Sequence, residues 1–408
     1  MGKFIFSAWR GIEMDRTWDT MAQDFYDLGL TLPFTPIFKE GSDYAKMIKL
    51  LDDFAALGMK VIMCDDRVTA RREPVLDEED YRARFARSLE EFGNHPAVAG
   101  FDVGDEPDAP EASTFFAVAR IQREMAPHLM PYLNLLPWFD WIGERIGSPD
   151  YGSYLDRAVR EGNLVILSYD CYSQMWEGDS GWDVYFNNLR ELGLAARRNS
   201  LPFCNIVLTT GHYDYACPTR EDMRWQLSTS AALGAKMISY FQVAGWEREN
   251  YRNFPINAFN ERTVEYEWLA CETRLLQKRM GDVMPDLKFY KAGFTTHPYG
   301  GFETFKPDDT LLSASNAKDI NMLISTFVDE DGIRYRAVVN LDRTRNVEAR
   351  LHFAPSVAVE RRTFYDTWEG SAGNTDIIGI LGDDGSSVRM WMAAGQLELL
   401  REIPVENI

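Results

Sequence analysis

The chain has 408 residues, 45% of them hydrophobic and 13% aromatic, enough to bury one large core and a second smaller one. Its formal charge of -20 and pI near 4.8 argue against nucleic acid and anionic membrane surfaces as partners, since both would repel it. The five cysteines, Cys64, Cys171, Cys204, Cys217 and Cys271, are odd in number and lack CxxC or CxxH spacing, so neither a disulfide framework nor a zinc site is indicated.

Met1 to Trp9 runs straight into a strand-like pattern with no leader signature. The expectation is a cytoplasmic protein, or an exported one whose leader has been removed. No stretch reaches the length of a transmembrane helix. From Phe4 onward, strand and helix patterns alternate. Phe4 to Trp9 precedes Met14 to Leu28, Leu30 to Ile37 precedes Asp43 to Leu57, Met59 to Cys64 precedes Glu78 to Phe92, and Val98 to Val103 precedes Ala112 to Met125. The alternation continues with Leu129 to Leu136 and Tyr154 to Arg160, Leu164 to Ser168 and Val184 to Arg197, Phe203 to Thr209 and Glu221 to Leu233, then Met237 to Val243 and Val264 to Met280. Strand starts lie roughly 25 to 40 residues apart, the size of a βαβ repeat. Eight such units predict an α/β fold, a (βα)8 TIM barrel, over residues 1–282. A doubly wound sheet is the structural alternative, but no phosphate-binding glycine loop follows the first strand.

After Gly281 helical periodicity gives way to alternating segments such as Met322 to Phe327, Tyr335 to Asn340 and Glu348 to Phe353, broken by Asp329-Glu-Asp-Gly and Gly382-Asp-Asp-Gly turns. Residues 283–408 therefore read as an all-β sandwich domain.

In a barrel of this kind the functional residues sit at the C-terminal ends of the strands. Strand one ends in Trp9 and Arg10, strand three in Asp65, and strand four, Val98-Ala-Gly-Phe-Asp-Val-Gly, runs directly into Asp105-Glu106-Pro107. The plain reading of those two acids is a helix start, where carboxylates are favoured. Strand five ends in Asn134, with Trp138 and Trp141 beyond it. Strand six ends in Tyr169, Asp170 and Tyr172, with Trp176 and Trp182 in the loop. Strand seven ends in Thr209, Thr210 and His212, and strand eight in Gln242, Trp246 and Glu247. Carboxylates ringed by tryptophan, tyrosine, amide and imidazole are the composition of a sugar site, because flat rings stack on pyranose faces while carboxylates and amides bind hydroxyls. The expected ligand is an oligosaccharide or glycan, and no cofactor is called for.

A barrel with a sandwich behind it and an acid at the end of strand four resembles the retaining glycoside hydrolases. Gly104-Asp105-Glu106-Pro107 is similar to the tract of the family 123 β-N-acetylgalactosaminidases, and the Asp-Glu pair also resembles that of the family 20 β-hexosaminidases. The resemblance implies Glu106 as general acid/base and Asp105 as the residue that orients the substrate's 2-acetamido group, itself the nucleophile. It also implies that Tyr169 or Tyr172 holds the acetamido carbonyl.

Most glycosidases need a second carboxyl, about 5 to 5.5 Å from the first for retention. The common position for it, the end of strand seven, carries Thr209-Thr-Gly-His212 and no glutamate. Either the substrate assists, or Asp170 or Glu247 is the second carboxylate; Asp170 could instead bind hydroxyls or pair with Arg10. A metal site through Asp65, Asp66 and His212, a non-catalytic sugar-binding barrel, and a lyase or isomerase remain the other readings.

Overall fold

A computed structural model describes residues 3–73, 75–178, 181–245, 249–370, 379–380 and 387–404. The chain forms two compact units. One comprises Ile5–Cys217 and Met237–Ala270, and the other Met1–Phe4, Pro218–Lys236 and Cys271–Ile408.

The first unit holds a curled parallel sheet of seven strands: β1 (Ile5–Ala8), β2 (Val61–Met63), β3 (Val98–Asp105), β4 (Met130–Leu135), β5 (Leu167–Asp170), β6 (Phe203–Leu208) and β7 (Met237–Phe241). Their order is β1-β7-β6-β5-β4-β3-β2, which leaves β1 and β2 as the edges. The expected strand over Leu30 to Ile37 is an extended segment that lies between those edges. Leu32 and Phe34 donate from their backbone N–H groups to Phe6 and Ala8 at 3.0 and 3.1 Å, Ile62 donates to the Pro33 carbonyl at 2.9 Å, and Thr35 donates to Ile62 at 3.0 Å. Pro33 and Pro36 have no N–H to give, so the segment makes a broken ladder and closes the barrel without becoming a regular strand.

Helices follow the strands: α1 (Met21–Leu28), α2 (Tyr44–Ala56), α3 (Glu78–Ser88), α4 (Ala109–Met125), α5 (Gly143–Ile146), α6 (Tyr151–Gly162), α7 (Trp182–Asn199), α8 (Arg220–Ala232) and α9 (Val264–Met280). Three of these starts are set by carboxylate caps. Asp43, Asp77 and Asp150 each accept from the N–H three residues on, satisfying donors that a helix start leaves open. Inside the barrel, Trp9, Phe34, Ile62, Tyr132, Ile206 and Met237 form one buried cluster. The floor beneath the strand ends is therefore solid packing and not a channel.

The second unit contains α8, the end of α9 and two β-sheets. Its strands are β8 (Lys288–Phe294), β9 (Glu303–Thr304), β10 (Leu311–Asn316), β11 (Met322–Val328), β12 (Arg334–Asn340), β13 (Val347–Phe353), β14 (Val357–Arg362), β15 (Trp368–Gly370), β16 (Gly379–Ile380), β17 (Ser387–Met392) and β18 (Leu397–Pro404). The sheets are ordered β10-β13-β17-β16 and β15-β14-β18-β12-β11-β8-β9. Alternation along β13 buries Val347, Ala349, Leu351 and Phe353, which pack with Ile324, Val338 and Leu400 of the other sheet into one core. The Gly382-Asp-Asp-Gly turn lies outside the described residues.

Candidate active site

β3 delivers the acids. Successive residues of a regular strand point to opposite faces, so Asp105 and Glu106 could not both reach one pocket from an unbroken strand. Two irregularities turn them. The β3–β4 register slips between Asp102, opposite Tyr132, and Gly104, opposite Leu133, which brings Asp105 level with the inward-facing Asn134. Glu106 then takes a positive φ of 41°, a left-handed conformation, and its backbone N–H donates to the Asn134 carbonyl at 3.0 Å. Pro107 disfavours the right-handed helical option for Glu106. Arg72, paired with Glu111 at 2.9 Å, pins the bend by donating to the Asp105 carbonyl at 2.9 Å. The bend also needs Gly104, at φ 145°, because a Cβ there would lie 2.6 Å from the Phe115 ring.

Both acids line a cavity of about 470 Å³ at the strand ends. Of the residues read from the sequence, the cavity brings together Asp105, Glu106, Asp170, Asn134, Trp9, Trp141, Tyr172, Trp176 and His212. One amide nitrogen ties two of the carboxylates: Asn134 Nδ2 donates to Asp105 Oδ1 at 3.0 Å and to Asp170 Oδ1 at 2.7 Å. Those two oxygens are no farther apart than the two bonds laid end to end.

The electrostatics follow from crowding acids in a half-dry pocket. Burial, then the charge of Asp170, then that of Asp105 push the Glu106 carboxyl up to about 10. Asp170 is raised to about 6 by burial and by Asp105, against the hydrogen bond it receives from Asn134. Protons on neighbouring acids belong to the group, and here Glu106 keeps one while Asp170 gives its own up. His212 is held below the usual imidazole range by burial. Its Nδ1, 3.1 Å from the Thr210 carbonyl, carries the hydrogen, which leaves Nε2 as an acceptor.

The walls are aromatic. Trp141, 67% exposed, stacks on Phe139 with ring centroids 5.2 Å apart, and Phe139 stacks on Trp176 at 6.0 Å. In the same cavity, His212 sits among Tyr213, Tyr215, Phe241 and Tyr251, at centroid separations between 4.8 and 5.2 Å. Arg145, bound through Nε to Asp108 at 2.7 Å, also lines the cavity. Phe139, Arg145, Tyr213, Tyr215 and Tyr251 were not among the residues singled out from sequence; they stand beyond the strand ends, Arg145 in the short α5 and the others in connections that carry no periodic signal.

Other expected site residues are engaged elsewhere. Arg10 pairs with the fully buried Asp102 at 2.6 Å. Asp65 is held by Arg67 through two bonds of 2.8 and 2.6 Å and by Ser88 at 2.6 Å. Trp138 packs on Tyr151. Tyr169 occupies the face of β5 opposite Asp170 and is fully buried. Gln242 donates to the Arg10 carbonyl at 3.1 Å. Trp246 and Glu247 lie outside the described residues. Among the described residues, no three or more His, Cys, Asp or Glu side chains are grouped to hold a metal ion, and no helix is long and apolar enough to cross a membrane.

No family model and no curated protein matches the chain. Solved structures do. A glycoside hydrolase family 5 protein from Bacteroides vulgatus ATCC 8482 aligns at 12% identity with a TM-score of 0.56, covering 99% of this chain and 90% of that one. A family 39 glycoside hydrolase from the gut symbiont Bacteroides cellulosilyticus WH2 aligns at 10% identity and a TM-score of 0.54, covering 98% and 81%. A β-galactosidase from the psychrophilic Marinomonas ef1 aligns at 11% identity and a TM-score of 0.50 over 67% of this chain, which spans 60% of that protein's length. Identities this low report a shared fold, a barrel followed by β-sheets, and fold alone does not assign chemistry.

Proposed function

We propose that this chain is a retaining glycoside hydrolase that removes a terminal sugar from an oligosaccharide or glycan, with Glu106 as general acid/base. The observation that carries the proposal is the place of Glu106: a buried carboxyl crowded by Asp170 and Asp105, a setting that favours its protonated form, at the end of a barrel strand in an aromatic-walled cavity. The fold shared with glycoside hydrolases supports it.

In the reaction, Glu106 gives its proton to the glycosidic oxygen as the bond from that oxygen to C1 breaks. The 2-acetamido carbonyl oxygen of the sugar bonds to C1 from the opposite face, forming an oxazolinium whose N–H is stabilised by Asp105, with Tyr172 beside the acetamido group. Water then adds to C1 while the Glu106 carboxylate takes its proton. The acetamido group is restored, and two inversions give net retention. Thr209 and Thr210, at the exit of β6 where many barrel glycosidases carry the nucleophile, donate their hydroxyls to the Gln242 carbonyl at 3.0 and 2.8 Å, which favours a nucleophile supplied by the substrate.

A second reading is favoured by one observation, the shared bond from Asn134, which sets Asp170 beside the same cavity. Here Asp170 acts as nucleophile on a sugar without an acetamido group.

Hydrolysis of paired aryl glycosides, with and without a 2-acetamido group, separates the two. The expected result is turnover confined to β-linked 2-acetamido sugars, and a loss of about 10²- to 10⁴-fold in kcat for Glu106→Gln on substrates with poor leaving groups. Dinitrophenyl glycosides need little protonation and should lose far less. Turnover of plain galactosides that disappears in Asp170→Asn would establish the second reading. Sugar binding without turnover, unchanged in Glu106→Gln, would make the barrel a lectin-like module.

A further inference from the structure

From the cavity lining down into the barrel interior runs a polar line whose lower members, Ser168 and Tyr132, the reaction above does not use. Alternation on β4 and β5 turns Tyr132, Asn134, Ser168 and Asp170 inward, and Asn134 stands level with Ser168 in the ladder. Tyr132 and Ser168 are fully buried and Asn134 is 2% exposed. The Tyr132 hydroxyl lies 2.7 Å from Ser168 Oγ, and Ser168 donates to Asn134 Oδ1 at 3.2 Å. Both carboxylate bonds of Asn134 leave from its nitrogen, so its oxygen must find a donor elsewhere, and Ser168 is that donor. With the Ser168 proton committed to Asn134, the Tyr132 hydroxyl proton is shared between Ser168 Oγ and the more distant Cys204 Sγ, 3.4 Å away.

We propose that Ser168 is a positioning residue: its hydroxyl fixes which way the Asn134 amide faces, and through that amide it sets the spacing of Asp105 and Asp170. The proposal rests on the reading of this cavity as the reaction site only for its catalytic consequence; the clamp stands on the hydrogen bonds alone. A reversed amide would turn its oxygen toward two carboxylates. Without the Ser168 hydroxyl, the Asn134 oxygen is buried with no donor, and the amide is free to leave the orientation that serves both acids. Asp170 then loses a bond that favours its charged form and takes up a proton at higher pH.

The test compares wild type with Ser168→Ala, Ser168→Thr and Tyr132→Phe, each checked for folding by circular dichroism. The first readout is the ¹³C carboxyl titration of Asp170, assigned by its disappearance in Asp170→Asn. The expected result is an upward move of the Asp170 midpoint by about 0.5 to 1 pH unit in Ser168→Ala, a smaller move in Tyr132→Phe, and recovery in Ser168→Thr, which keeps the hydroxyl. The second is kinetic: in Ser168→Ala kcat falls about tenfold with KM little changed, and where Asp170 is the nucleophile the acidic limb of the pH profile moves with the NMR midpoint. An Asp170 midpoint unmoved in folded Ser168→Ala and Tyr132→Phe overturns the clamp. Wild-type turnover decides the glycosidase reading separately, since a shifted midpoint without turnover overturns that reading and leaves the clamp standing.

Discussion

Glu106 has an ordinary value of 4.5 and is pushed up to about 10, so the folded protein holds a proton that the unfolded chain releases once the pH passes its usual carboxylate range. The native state therefore binds more protons between those limits, and stability falls as pH rises through them, by at most about 1.4 kcal/mol per pH unit for one group. A glutamine cannot ionise and escapes that loss. Glu106→Gln should thus be more stable than wild type at pH 8 and close to it at pH 5, a difference that urea unfolding at several pH values would reveal; equal stability at all pH values would mean that Glu106 is not held protonated. The activity profile follows from the same proton: Glu106 must keep it, so kcat/KM is expected to decline only toward pH 10. If Asp170, raised to about 6, is the nucleophile, it must also lose its own proton, which adds a rise through about pH 6; a profile without that rise fits the substrate-assisted reaction.

The strand that leads into Glu106 depends on one missing side chain. At Gly104 a Cβ would meet the Phe115 ring at 2.6 Å, and φ of 145° is a conformation that side-chain-bearing residues rarely adopt. Gly104→Ala is expected to destabilise by about 2 to 4 kcal/mol and to lower kcat, because the turn that aims Glu106 is displaced with it. Adding Phe115→Leu should return the steric part and leave the backbone part, which a double-mutant cycle in urea measures; full recovery would assign the whole effect to the ring. The bend also explains what sequence could and could not show. The apolar run into Asp105-Glu106-Pro107 marks a strand that ends in acids, and seven of the eight expected barrel strands are strands; the eighth is interrupted by Pro33 and Pro36. Period-two alternation could have separated Tyr169 from Asp170, since neighbours on a four-residue strand face opposite ways. Nothing local could have shown that Arg10 is taken by Asp102, 92 positions away, or that Ser88, 23 positions on, joins the neighbouring Arg67 in holding Asp65. Nor does a pattern mark Tyr213, Tyr215 and Tyr251, which meet around His212 only because two connections fold over the same strand ends.

At the scale of the whole molecule, charge decides which glycans can approach. The chain carries 63 acidic against 43 basic residues, and the cavity adds Asp105 and Asp170 within reach of a bound sugar, with Arg145 the guanidinium among its lining residues. An anionic glycan, bearing a uronate or sulfate, must enter against that field, whereas a neutral one feels little of it. Salt shortens the reach of the field from about 10 Å at 0.1 M to about 3 Å at 1 M. Between these concentrations of sodium chloride, kcat/KM on a neutral glycan should stay within about twofold, while an anionic analogue, poor at low salt, should gain several-fold as screening removes the repulsion. The opposite trend, an anionic substrate preferred at low salt and weakened by screening, would mean that Arg145 outweighs the acids around it as a carboxylate or sulfate ligand. Arg145→Gln would then abolish the preference, because glutamine keeps much of the length and loses the charge.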